Sequence, residues 1–121
     1  MANPNIVNVT SIYGKTVQAA LDTTLTTELL LCAADKVLKI NSITIANIDG
    51  TNAADASVFI TKSGGSPIAI ASTISVPADA TLNLIDKNSS FYLEEGDNIE
   101  AGASADNDLT ITISYEEIDD A

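Results

Sequence analysis

Leu109, Ile111, Ile113 and Tyr115 alternate strictly with Thr110, Thr112 and Ser114. Period two sends the apolar set to one face of an extended strand and the hydroxyl set to the other. A helix, turning about 100° per residue, would scatter the same residues around its circumference. This run is therefore a strand with one buried face, and a second layer must cover that face.

The rest of the chain repeats the theme in short runs. Asn5–Tyr13 is the first extended candidate, after Pro4, and Thr16–Leu21 and Thr26–Cys32 follow. In Val37–Ile48, Leu38 and Ile40 share one parity while Ile43 and Ile45 share the other. That switch predicts a β-bulge near Asn41-Ser42. Asp49-Gly50 marks a turn in which glycine readily supplies a positive φ. Further runs are Ala56–Lys62, Ile68–Val76, the alternation at Leu82 and Leu84, Phe91–Leu93 and Asn98–Ala101. Ser63-Gly64-Gly65-Ser66-Pro67 separates two of them as a flexible hairpin loop. Thr24–Asp35 is the one helical competitor, and its Thr-rich flanks and missing caps argue against a helix. The expectation is all-β: a single antiparallel β-sandwich domain over residues 1–121, jelly-roll-like, of about eight to ten short strands. Residues 1–9 form a candidate N-terminal arm, and residues 116–121 a short, solvated acidic tail.

Composition supports this and removes several chemistries. Ile and Val dominate, aromatics are only 4% and Trp is absent, so the core must be aliphatic. β-branched side chains suit a pleated surface. The net charge is −12, from 17 acids against 5 lysines, with no Arg or His. Such a chain repels phosphate backbones and anionic membrane surfaces, so neither nucleic acid nor membrane is an expected partner. No window approaches a transmembrane length of apolar residues. Met1-Ala2-Asn3-Pro4 shows no basic segment leading into an apolar stretch, so no secretion signal is expected. Cys32 is the single cysteine and lies in the apolar run Leu29–Ala33, where an inert buried thiol is expected.

Catalysis by a triad needs a general base near neutral pH, usually His, and zinc needs His or several Cys. The chain offers neither, so no enzyme activity and no cofactor are expected. Carboxylates are the remaining resource. Glu94, Glu95, Asp97 and Glu100 cluster around one turn, and Asp106-Asn107-Asp108 forms a second acidic loop. Asp106, Asp108, Glu95 and Asp97 are weak Ca²⁺ candidates without EF-hand spacing; a solvated loop is the default. Tyr13 and Tyr92 are candidates for an edge or interface, because Tyr keeps a polar tip wet.

Five phrases occur in order along nearly the whole chain: Asn5–Val7 leading to Ser11–Thr16, Ile45–Ala54, Ala71–Asp79, Phe91–Asp97 and Ser114–Ile118. Together they resemble small virion structural proteins of tailed bacteriophages, especially those of cyanophage type. The resemblance implies a β-sandwich or jelly-roll-like protein built into the virion, assembled in the host cytoplasm and carrying no catalytic residues. Small sandwiches on phage heads commonly act as decoration (cement) proteins, often as trimers, bound to the major capsid protein; similar folds occur at tails, necks and fibres. A free carbohydrate- or ligand-binding sandwich is the further alternative, and five aromatic residues offer it little platform. Residues Asn3, Pro4, Asn5, Ile6 and Val7 are the expected contact segment. It forms either an extended arm that pairs with a neighbour or the first strand of its own sandwich.

Overall fold

A computed structural model of the chain describes residues 5–119. Nine strands occur among them: β1 (Ser11–Ala20), β2 (Thr27–Leu31), β3 (Lys36–Asn47), β4 (Ala54–Thr61), β5 (Ile68–Val76), β6 (Thr81–Ile85), β7 (Phe91–Leu93), β8 (Asn98–Ala103) and β9 (Leu109–Asp119). They form two antiparallel sheets packed face to face, so the chain is a β-sandwich. The first sheet runs β1-β9-β3-β6, with β7 also paired to β3; the second runs β2-β8-β4-β5.

The pairing is nested. β1 pairs with β9, β2 with β8, β3 with β6 and β7, and β4 with β5. This is the pairing of one long two-stranded ribbon whose tip is the loop between Thr61 and Ile68. Rolling that ribbon adds the contacts β3·β9 and β4·β8. Period-two alternation then divides each strand between core and surface. Leu109, Ile111, Ile113 and Tyr115 of β9 face inward beside Ile40, Ile43 and Ile45 of β3. Val58, Ile99, Ala101 and Ala103 of the second sheet meet them. All are buried, and aliphatic packing supplies most of the favourable free energy.

The parity switch in β3 is a bulge, with the β3–β9 register shifting between Ile40 and Ser42. It lets Leu38 and Ile40 face the same core as Ile43 and Ile45. The 24–35 segment is strand β2 followed by a turn. Four expectations are corrected. Residues 5–8 are not extended: the Asn8 amide donates to the Asn5 carbonyl at 3.0 Å, and the Val7 amide to Asn5 Oδ1 at 3.0 Å. The Asn5 side chain thus closes a local turn, which the apolar pattern at Ile6-Val7 hides. Asn3 and Pro4, with the rest of residues 1–4, lie outside the described residues. The two early runs are a single strand, β1, because β9 extends far enough to pair with all of it. For the same reason Glu116–Asp119 are strand and not tail, and residues 120–121 lie outside the described residues. The Asp49-Gly50 turn works without a positive φ at Gly50. The Asp49 carboxylate instead accepts the Thr51 amide at 2.8 Å.

One glycine is demanded by packing. A Cβ on Gly102 would lie 2.4 Å from Leu25 Cα and 2.5 Å from the Thr24 carbonyl oxygen, because the β1–β2 loop crosses β8 there. A Cβ on Gly14 would meet no atom within 4 Å. Gly102→Ala is expected to cost about 1–3 kcal/mol through overpacking. Gly14→Ala is expected to be neutral or to stabilise by up to about 1 kcal/mol. Urea denaturation of the two variants checks this contrast.

Candidate interaction surfaces

The cross-strand register defines the outer face of the first sheet row by row. Thr16, Ser114 and Ser42 form one row. Gln18, Thr112, Thr44 and Asn83 form the next, and Ala20, Thr110, Ala46 and Thr81 the third. These eleven side chains carry no charge, in a chain of net charge −12. Gln18 Nε2 donates to Thr112 Oγ1 at 3.1 Å, and a depression of about 320 Å³ lies beside this pair. The row beyond Thr16 is Gly14, Glu116, Lys39 and Tyr92, where the two charges are of opposite sign on neighbouring strands. A last row joins half-exposed Ile12 to buried Ile118 and Val37.

The outer face of the second sheet differs. Asp55 on β4 and Glu100 on β8 point outward there, and Thr61 Oγ1 donates to Glu100 Oε1 at 2.7 Å. Beside them lies a groove of about 310 Å³, lined by Thr23, Leu25, Asp55, Ser57, Thr73 and Ser104. Thr73 adopts φ 48°, a conformation that β-branched residues rarely take. Its amide donates to buried Ser57 Oγ at 3.0 Å, and the Asp55 amide donates to Ser104 Oγ at 2.8 Å. Two of the hydroxyl oxygens therefore already hold the backbone around the groove.

Among the expected contact residues, Asn5, Ile6, Val7, Tyr13 and Tyr92 are all exposed. They do not form one patch. Tyr92 stands on the outer face of the first sheet, three strands from β1, whereas Tyr13 has the opposite parity beside Glu117. The uncharged rows were not among the expected contacts. The alternation at 109–115 signals one polar face, but only the register aligns it with Ser42, Thr44, Gln18 and Asn83.

The acidic loops serve the fold. Asp97 is buried, and its carboxylate accepts the Ser63 amide (2.9 Å), the Glu94 amide (2.9 Å) and the Lys62 ammonium. Glu95 Oε2 accepts the Asp35 amide at 3.0 Å, and Asp106 Oδ1 accepts the Thr23 amide at 3.0 Å. Asp108 lies in the second loop, beside Asp49. The four weak Ca²⁺ candidates are thus divided between two loops. Among the described residues no three His, Cys, Asp or Glu groups converge to hold a metal ion.

Burial on its own would raise the Asp97 pKa. The Lys62 ammonium and the two amides outweigh it and hold the carboxyl below its ordinary value. Glu117 is held low by hydrogen bonds from Lys36 and Lys15, at 2.8 and 3.0 Å. Cys32 is buried with its thiol 3.2 Å from the Lys36 carbonyl oxygen, and desolvation pushes its pKa up to about 11. No protein-family model matches the chain, and a search of curated proteins finds no significant match.

Depressed carboxyl pKa values contribute stability that is fully present above the unfolded values, about 4. That contribution is lost as pH falls through the folded values. Chemical denaturation is therefore expected to show stability dropping below about pH 4. Asp97→Asn should flatten this acid limb and cost about 1–3 kcal/mol at neutral pH, since it weakens acceptors for buried amides. Cys32 should resist alkylation at pH 8 in the folded protein and react once the chain is unfolded.

Proposed function

We propose that the chain is a structural protein of a phage virion, most simply a decoration (cement) protein on the head. In this reading it binds the outer surface of the major capsid protein and stabilises the shell. One observation carries the reading: the two outer faces differ in charge. The first sheet presents three uncharged rows of short side chains, while Asp55 and Glu100 sit on the second. Uncharged side chains desolvate at lower cost than charged ones against another protein surface, provided their hydroxyls and amides find hydrogen-bond partners there. The acidic remainder keeps unattached copies soluble and apart.

The strand path supports the same reading. With β6 and β7 taken as one interrupted strand, we read the rolled ribbon as a jelly roll, an architecture shared by viral capsid and lectin domains. The five phrases that resemble cyanophage virion proteins point the same way. A tail, neck or fibre position uses the same sandwich and face, and is the second reading. A ligand-binding sandwich is the lesser one, favoured only by the hydroxyl-lined groove at Thr73; silence on a glycan array would remove it.

Four strands and five rows span about 14 by 27 Å at ordinary strand spacings. That is roughly half of the 800 Å² per partner in a standard interface. One face alone is thus too small for a tight contact, and further contacts or several linked copies are required. In virions of the encoding phage, the chain is expected to co-purify with heads at a copy number matching lattice sites. Its loss should lower the temperature at which heads rupture. Thr44→Asp with Thr112→Asp should abolish attachment while circular dichroism stays unchanged. Attachment should be nearly insensitive to added salt, because the face carries little charge. Finding the protein only in tails or necks would exclude the head position.

A further inference from the structure

β5 carries one residue more than its pairing with β4 uses. Ala56 pairs with Ile74 and Val58 with Ala71, so β4 advances two residues where β5 advances three. The surplus is a β-bulge, and Thr73 stands in it at φ 48°. Glycine is the ordinary occupant of a left-handed bulge position, because a β-branched side chain is strained there. Bulges re-aim side chains, and this one brings Thr73 to the groove of about 310 Å³ on the second sheet. Ser57, 2% exposed, and buried Ala103 form the floor of that groove; exposed Thr23, Leu25 and Ser104 form its rim.

The polar atoms of the groove are unevenly used. Ser57 Oγ and Ser104 Oγ each accept a backbone amide. The Asp55 carboxylate, Thr23 Oγ1 and Thr73 Oγ1 have no hydrogen-bond or ion-pair partner among the described residues. No lysine lines the groove. Two further carboxylates stand next to it, since Thr23 follows Asp22 and its amide donates to Asp106 Oδ1 at 3.0 Å.

We infer that this groove receives a lysine side chain of a partner protein. An ammonium has three N–H donors, and the unused acceptors are a carboxylate and two hydroxyl oxygens. Leu25 and Ala103 offer an aliphatic wall to the lysine stem. Carboxylates without a cation in the groove attract positive charge and repel anions, and the net charge of −12 adds to this field. No aromatic ring lines the groove to stack on a sugar. The groove belongs to the second sheet and the proposed attachment face to the first, so this inference does not rest on the virion reading.

NMR titration of the whole chain tests it with three probes. They are the capped peptide Gly-Gly-Lys-Gly-Gly, the same peptide with norleucine in place of lysine, and the free diamine cadaverine. The lysine peptide is expected to shift the amides of Asp55, Ser57 and Thr73 saturably, with a dissociation constant in the millimolar range, and added salt should weaken it. The norleucine peptide should leave them in place. Asp55→Asn should lower the affinity about tenfold, with circular dichroism checking its fold. Thr73→Gly should also weaken binding, yet raise the urea midpoint, because glycine relieves the strained φ. A residue that served only the fold would not show both effects. A lysine peptide that shifts none of these amides, or a norleucine peptide that shifts them equally, overturns the inference. Unchanged affinity in Asp55→Asn overturns it too. Cadaverine binding more tightly than the lysine peptide overturns the assignment to a partner protein.

Discussion

The double pairing of β9 is the constraint on which the rest of the structure depends. This strand lies between β1 and β3 and pairs with both along most of its length. It therefore aligns the first strand of the chain, the longest strand and the last in one register. Its inward residues, Leu109 to Tyr115, form the floor of the core, while Thr110, Thr112 and Ser114 form the middle of the outer face. A slip of one residue would exchange these two faces. The bulge at Ile40–Ser42 is the local adjustment that keeps β3 in step with β9.

Charge placement follows from the same arrangement. The carboxylates with neighbouring cations gather at sheet ends and loops. Glu117 sits between Lys15 and Lys36, and Asp97 between Lys62 and two backbone amides. The acidic loops, which carry the obvious chemistry of the sequence, hold β-turns and hairpins in place. The surface that carries the functional proposal, the outer face of the first sheet, is one that charge leaves vacant.

Much of the fold was legible because period two is a local signal. The strand at 109–115, the bulge in β3 and the two-layer architecture all follow from it, while the glycines and proline of Ser63–Pro67 mark the hairpin loop. The N-terminal region was not legible in the same way. Asn5 closes a turn with its own side chain, and an apolar pair inside that turn looks like a strand. Glu116–Asp119 look like a solvated tail, yet they are strand because β1 and β3 extend far enough to flank them, a long-range fact.

The sequence by itself determined that the chain is all-β, that its core is aliphatic and that the residues for common catalysis are missing. These conclusions rest on residue types and on spacing along one strand. Only the tertiary structure decided which polar residues stand together. Gln18, Ser42, Thr44, Asn83 and Thr112 come from four strands far apart in the chain, and cross-strand register alone places them on one face. It likewise decided that Tyr13 and Tyr92 take opposite parities in the first sheet. The physical reason is that strand pairing joins residues at long sequence separation, where composition and local periodicity carry no information.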